Sequence, residues 1–194
     1  MRLWTIQPIC IYDLLKAGQI YRCKAGLCEN LTDSQFAKAY TWLAGQMRTR
    51  IGPPPEHTAF PAWAWHTVNW QHKRPDMRRS EFRGFEDAHV LMELEIPDDD
   101  ILLSDYDTWH IVLNNGYYGD ATDEASYDKE MAWFDALPMD KQKKLREKSW
   151  EKVFDTTKID TEWAKNGRYV QATFWEIRPE HVMKAWKYQG KIRP

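Results

Sequence analysis

The sequence predicts an α+β fold in a single domain spanning 1–194, a mostly antiparallel sheet with helices at its periphery. Three observations carry this prediction. Residues 88–96 place Val90, Met92, Leu94 and Ile96 on alternate positions, the period of a strand with one apolar face, and leave Glu93 and Glu95 for the other. Phe36, Tyr40, Leu43 and Met47 recur at helical spacing. The order strand–helix, strands, helices, strand lacks the repeating strand–helix–strand unit of a parallel sheet. With 194 residues, 43% of them hydrophobic and 29% charged, the chain can bury a core without staples.

Each element has its own local reason. Residues 2–7 read as a short strand. Pro8 opens a helix, because its missing N–H would be unpaired at a helix start anyway. Ile11, Leu14 and Leu15 share a helical face, and Gly18 is a stop. Residues 20–23 form a second short strand. Thr32, Asp33 and Ser34 are N-cap candidates for the Phe36–Met47 helix, which Gly52 and Pro53-Pro54-Pro55 terminate. Residues 58–67 read as a strand with Trp63 and Trp65 on one face, and a basic loop follows from His72 to Arg83. After the 88–96 strand, Pro97 and three aspartates make a turn into a short buried strand, Ile101-Leu102-Leu103. Asp105–Leu113, 124–136 and 139–153 read as helices, 168–178 as a strand, and Pro179–Trp186 as a short helix.

Composition narrows the function classes. A formal net charge of −2 gives no global attraction to nucleic acid or membrane surfaces. Cys10, Cys23 and Cys28 have no zinc-type spacing, and their odd number points to a reducing cytoplasm. The opening Met1-Arg2-Leu3-Trp4-Thr5 lacks the apolar run of a secretory signal, and no stretch approaches the ~20 apolar residues of a membrane span. No G-x-S-x-G, H-E-x-x-H or Walker loop occurs. The acids from Glu93 to Asp107 do not match a calcium loop and are expected to bind no metal. The unusual feature is eleven tryptophans, each with an N–H that needs a partner. They build either a Trp-rich core or a groove that stacks a planar ligand.

Four groups of residues bear on that choice. Trp63 and Trp65 serve as sheet packing or as a stacking wall for a nicotinamide or a base. The His72–Arg83 run is a solvated loop or a phosphate site, in which Pro75 restrains Arg74 in an extended conformation. Ser104 or Asp105 caps the following helix. Asp105 and His110, five residues apart, fall on different helical faces and form no dyad. On the late strand, Gln171 and Glu176 cannot share a face if the strand is regular.

Taken together, Leu3-Trp4-Thr5-Ile6-Gln7, Trp63-Ala64-Trp65, Lys73-Arg74-Pro75-Asp76 and Leu103-Ser104-Asp105-Tyr106-Asp107-Thr108-Trp109-His110 resemble a bacterial family known as a domain of unknown function. The first and last motifs also resemble those of ADP-ribosyltransferases, with Thr5 where many of those enzymes carry His or Arg. That second resemblance implies NAD as substrate and a macromolecular target, protein or nucleic acid. It implies Thr5 donating to a ribose hydroxyl, Gln171 or Glu176 orienting the ribose, and Trp4, Gln7, Trp63, Trp65 and Arg74 binding the nucleotide. Of the pair, Gln171 is expected to face the cleft opposite Thr5. The alternative is a non-enzymatic module for a nucleotide or single-stranded nucleic acid, or an interaction protein of a toxin–antitoxin or phage-defence pair.

Overall fold

The computed structural model describes residues 1–23, 36–82 and 87–189. The expected N-caps Thr32, Asp33 and Ser34, together with Cys28 and Arg83, lie outside the described residues. The strands are β1 (Arg2–Pro8), β2 (Tyr21–Arg22), β3 (Ala62–Val68), β4 (His89–Glu95), β5 (Leu102–Asp105), β6 (Tyr169–Phe174), β7 (Glu176–Ile177) and β8 (Val182–Tyr188). The helices are α1 (Ile9–Lys16), α2 (Ala37–Arg50), α3 (Tyr106–Leu113), α4 (Glu124–Asp135) and α5 (Met139–Ser149). Six strands form an antiparallel sheet in the order β5-β6-β3-β1-β4-β8, and β2 pairs with β7 in a second small sheet. The fold is thus α+β, and no helix among the described residues is long and apolar enough to cross a membrane.

Sequence alternation sorts the core onto the two faces of the large sheet. Leu3, Ala62, Ala64, Val90, Met92, Leu94, Ala172 and Phe174 form one cluster, against which Ile9, Ile11, Leu14 and Leu15 of α1 pack. Leu102 and Trp63 join Ala39, Leu43 and Met47 of α2, Trp109 and Val112 of α3, and Trp150 in the other. Each Val, Leu, Met or Phe among them, once fully buried, contributes roughly 1.5–3 kcal/mol. Helix α3 is capped by Asp105, whose Oδ1 accepts the Thr108 N–H at 2.8 Å. Helix α4 starts at a capping box between Asp123 and Ser126.

Three elements depart from expectation. Pro179–Trp186 is not a helix: Pro179 starts one 3₁₀ turn, and Val182–Tyr188 then runs as an edge strand beside β4. Pairing with β4 outweighs a helical propensity that eight residues could not sustain alone. The expected strand 168–178 breaks at Trp175 into β6 and β7, which belong to different sheets. Pro8 ends β1 and occupies the N-cap of α1 rather than its first turn. One further detail concerns β4, which lies inside the sheet with both faces covered. Glu93 is therefore buried, with Arg2 at 3.6 Å, while Glu95 is exposed and meets the Met1 amino group at 3.0 Å.

Candidate functional site

The large sheet is nearly split down its middle. Strand β1 pairs with β4 along its whole length, from Arg2 opposite Glu95 to Pro8 opposite His89. Toward β3 it has one paired position, Trp4 opposite Trp65. Strand β3 is drawn the other way by a continuous ladder to β6, with a bulge between Trp65 and Thr67. Bulges bend and twist a strand locally, and here the bulge accompanies the divergence of β3 from β1.

A cavity of about 220 Å³ occupies the divergence, lined by Thr5, Ile6 and Gln7 of β1, Trp63, Ala64 and Trp65 of β3, Glu81 and Phe82 of a 3₁₀ turn, and Gln171 of β6. A part-buried hydrogen bond crosses the gap, the Thr5 hydroxyl donating to the Trp63 carbonyl at 2.7 Å, and it is extended along β1 by Gln7 Nε2 donating to Thr5 Oγ1 at 2.7 Å. This chain substitutes for the missing strand ladder. The half-buried Trp65 indole stands in an aromatic box, 5.7 Å from the Phe82 ring, 5.2 Å from Tyr106 and 6.2 Å from Tyr169. Trp63 lies 5.4 Å from Trp109. Edge and tilted contacts of this kind fix ring orientation and leave faces for a further ring.

The polar lining is small and specific. The Gln171 amide has no protein hydrogen-bond partner among the described residues, so both its donor and its acceptor are open. Among the described residues Glu81 brings the one carboxylate; Arg79 holds it at 2.9 Å, and the Tyr169 hydroxyl donates to it at 3.4 Å. No lysine or arginine among the described residues lines the cavity.

The structure therefore brings Thr5, Gln7, Trp63, Trp65 and Gln171 together. Thr5 is 1% exposed and its hydroxyl proton is committed to Trp63, so it braces the split rather than donating to a ligand. Three expected residues stand elsewhere. Trp4 packs its ring 5.2 Å from His72, and its indole N–H is buried without a partner among the described residues. Arg74 lies 4.4 Å over the Trp186 ring, because β8 is a strand and presents that indole to the loop. Glu176 is clamped by Arg22 at 2.7 Å and Arg178 at 2.6 Å. Burial disfavours its charge, but the two guanidinium hydrogen bonds hold its pKa below the usual range. Glu81 and Phe82 were missed by sequence reasoning, since only the 3₁₀ turn inside the basic segment points them at β3.

A larger cavity of about 860 Å³ lies beside α3 and residues 159–166. Six carboxylates line it (Asp105, Asp107, Asp120, Asp123, Glu124 and Glu162) against Lys152 and Lys165. Burial, then the neighbouring Asp105, raises the Asp107 pKa. That charge balance repels phosphate, so size alone does not make this the nucleotide site. Among the described residues, no three His, Cys, Asp or Glu side chains gather as a metal-ligand set.

Residues 2–183 match the family described as Domain of unknown function (DUF3841), and the chain belongs to that family. No curated protein and no solved structure matches it.

Proposed function

We propose that this DUF3841 protein binds a nucleotide by taking the planar ring of the ligand into the cleft between β1 and β3, with NAD as the candidate ligand. The observation that carries the reading is the convergence of Trp63, Trp65, Phe82 and the unpartnered Gln171 amide on one cavity of about 220 Å³. Indole and phenyl faces stack a heteroaromatic ring, at roughly 1–3 kcal/mol per ring. Gln171 offers a donor and an acceptor to an amide or base edge, and the carboxamide oxygen of Gln7 offers a second acceptor. Ligand pockets usually reach roughly 300–1,000 Å³, so this cleft fits one ring and part of its sugar, and the remainder of the nucleotide must run outside.

Glu81 favours a second reading, ADP-ribosyl transfer from NAD to a macromolecular target. In that reaction the bond between nicotinamide nitrogen and ribose C1′ breaks, and its electron pair leaves with nicotinamide. The ribose cation is captured by a nucleophile of the target, which loses a proton. A carboxylate at the cavity wall stabilises such a cation, and Gln171 orients a ribose hydroxyl without adding charge. Catalysis here is chemistry added to binding, so the two readings separate experimentally. Calorimetric titration with NAD tests the first; nicotinamide release with cell extract as a source of targets tests the second. Heat of binding lost in Trp65→Ala supports the cleft. Absence of NAD, nucleoside and mononucleotide binding alike overturns it. Release abolished by Glu81→Gln supports transfer, and release unchanged by that substitution removes it.

A further inference from the structure

If the ring end of a nucleotide fills the β1–β3 cleft, its phosphates need a cation, and none lines the cavity among the described residues. Arg79, beside the wall, is already paired with Glu81 at 2.9 Å, and a further candidate is set by the aromatic box. Tyr169 is a half-buried member of that box, with its hydroxyl on Glu81 and its ring 6.2 Å from Trp65. Over the Tyr169 ring, at 5.3 Å, lies the guanidinium of Arg168.

The backbone goes to some expense to hold that guanidinium. After β3 the chain reverses in a two-residue turn, with Val68 and Gln71 bonded to each other in both directions. Both central residues have left-handed φ, Asn69 at 53° and Trp70 at 57°. Such turns prefer Asn followed by Gly; a tryptophan there is a conformational outlier, and strain of this kind gathers at functional sites. What the outlier achieves is visible. The Trp70 N–H donates to the Arg168 carbonyl at 2.9 Å, and the indole lies 5.5 Å from the Arg168 guanidinium. Asn69 Oδ1 accepts a long hydrogen bond from Arg168 Nε at 3.4 Å. On the other side of Arg168, the Gly167 N–H is fixed by buried Asp105 at 2.7 Å. Arg168 is thus gripped through its backbone and through two ring faces, while its terminal nitrogens make no hydrogen bond or ion pair among the described residues and lie within electrostatic reach of Asp107 and Asp160.

We infer that Arg168, held between Trp70 and Tyr169 at the rim of the cleft, is the phosphate anchor for the nucleotide whose ring occupies the cleft. The inference rests on the proposed ring site and adds to it the direction of the ligand: ring inward past Trp65, phosphate outward past Tyr169. Arg74 has no part in it, being stacked on Trp186. A guanidinium fork suits a phosphate better than a point charge does.

The test compares a nucleoside with its phosphorylated forms. Nicotinamide riboside, nicotinamide mononucleotide and NAD are titrated into the wild-type chain, Arg168→Ala, Arg168→Lys and Arg74→Ala. Arg168→Ala is expected to weaken the two phosphorylated ligands roughly 10- to 100-fold and to leave the riboside unchanged. Arg168→Lys restores part of that loss, and Arg74→Ala binds all three like wild type. Equal weakening of riboside and mononucleotide by Arg168→Ala, or a phosphate-dependent loss in Arg74→Ala instead, overturns the anchor while the ring site stands. Failure of the wild-type chain to bind any of the three refutes the ring site itself.

Discussion

Replacing Asp105 by alanine removes one carboxylate that serves two backbone groups at once. Asp105 is fully buried; one oxygen caps α3 through the Thr108 N–H at 2.8 Å, and the other accepts the Gly167 N–H at 2.7 Å. Loss of an N-cap costs about 0.5–2 kcal/mol, and a buried donor left without a partner costs about 1–3 kcal/mol. The pair is coupled through one side chain, so we expect Asp105→Ala to destabilise the chain by about 2–4 kcal/mol. At roughly 2–4 °C per kcal/mol for a chain of this size, Tm falls by about 5–15 °C. Asp105→Asn keeps one acceptor oxygen and should lose about half as much. Urea unfolding of the three proteins measures this. The same change frees Gly167 and with it the backbone before Arg168, so affinity for phosphorylated nucleotides should drop even under conditions where the variant is fully folded. A loss below about 0.5 kcal/mol in Asp105→Ala would refute the assignment of both hydrogen bonds to this carboxylate.

Other perturbations follow from the same geometry. Gly167→Ala puts a Cβ about 2.6 Å from the Thr156 carbonyl at a φ of +70°, so it should destabilise by about 1–3 kcal/mol in the same unfolding assay. Thr5→Val deprives the Trp63 carbonyl and the Gln7 amide of their shared partner and should cost about 1–3 kcal/mol, which thermal unfolding reports. Burial, then the neighbouring His72, lowers the His66 pKa to about 4 from its ordinary value of 6.5. The unfolded chain therefore takes up that proton first, and stability should fall as pH drops from about 6.5 to about 4. The slope should be shallower in His66→Gln when urea midpoints are compared across that window. Glu176 titrates below the ordinary carboxylate value of 4.5, so the stability it contributes is present above that pH and lost on acidification. Glu176→Gln should flatten acid unfolding while leaving nucleotide affinity intact, since its clamp lies outside the cleft.

Much of this architecture is legible in the residues themselves. The alternation of Val90, Met92 and Leu94 and the helical spacing of Tyr40, Leu43 and Met47 each reflect local burial, and local burial is what a sequence pattern encodes. The site residues on β1, β3 and β6 were readable because polar and aromatic side chains stand where strands carry apolar ones: Gln7, Trp65 and Gln171. Their meeting was not readable from periodicity, because it depends on β1 pairing with β3 at one position only. Glu81 and Phe82 were hidden in a segment whose charge suggested a loop, and a single 3₁₀ turn gives them direction. Arg168 was hidden for a different reason: its setting depends on left-handed backbone at Asn69 and Trp70, and an Asn-Trp pair carries no glycine to advertise a turn. The clamp on Glu176 was not readable, because Trp175 moves the chain from one sheet to the other between two residues that read as one strand.

The central claim is that the split between β1 and β3 is where a nucleotide ring enters, and the eleven tryptophans are built-in probes of it. Protein labelled with 5-fluorotryptophan, with its fluorine resonances assigned by single Trp→Phe substitutions, can be titrated with NAD. The account predicts shifts in the Trp63 and Trp65 signals together with that of Trp70 at the rim, with Trp186 and Trp163 unmoved. Shifts confined to Trp163 beside the acidic cavity or to Trp186 under Arg74, or a spectrum unchanged at saturating NAD, would contradict it.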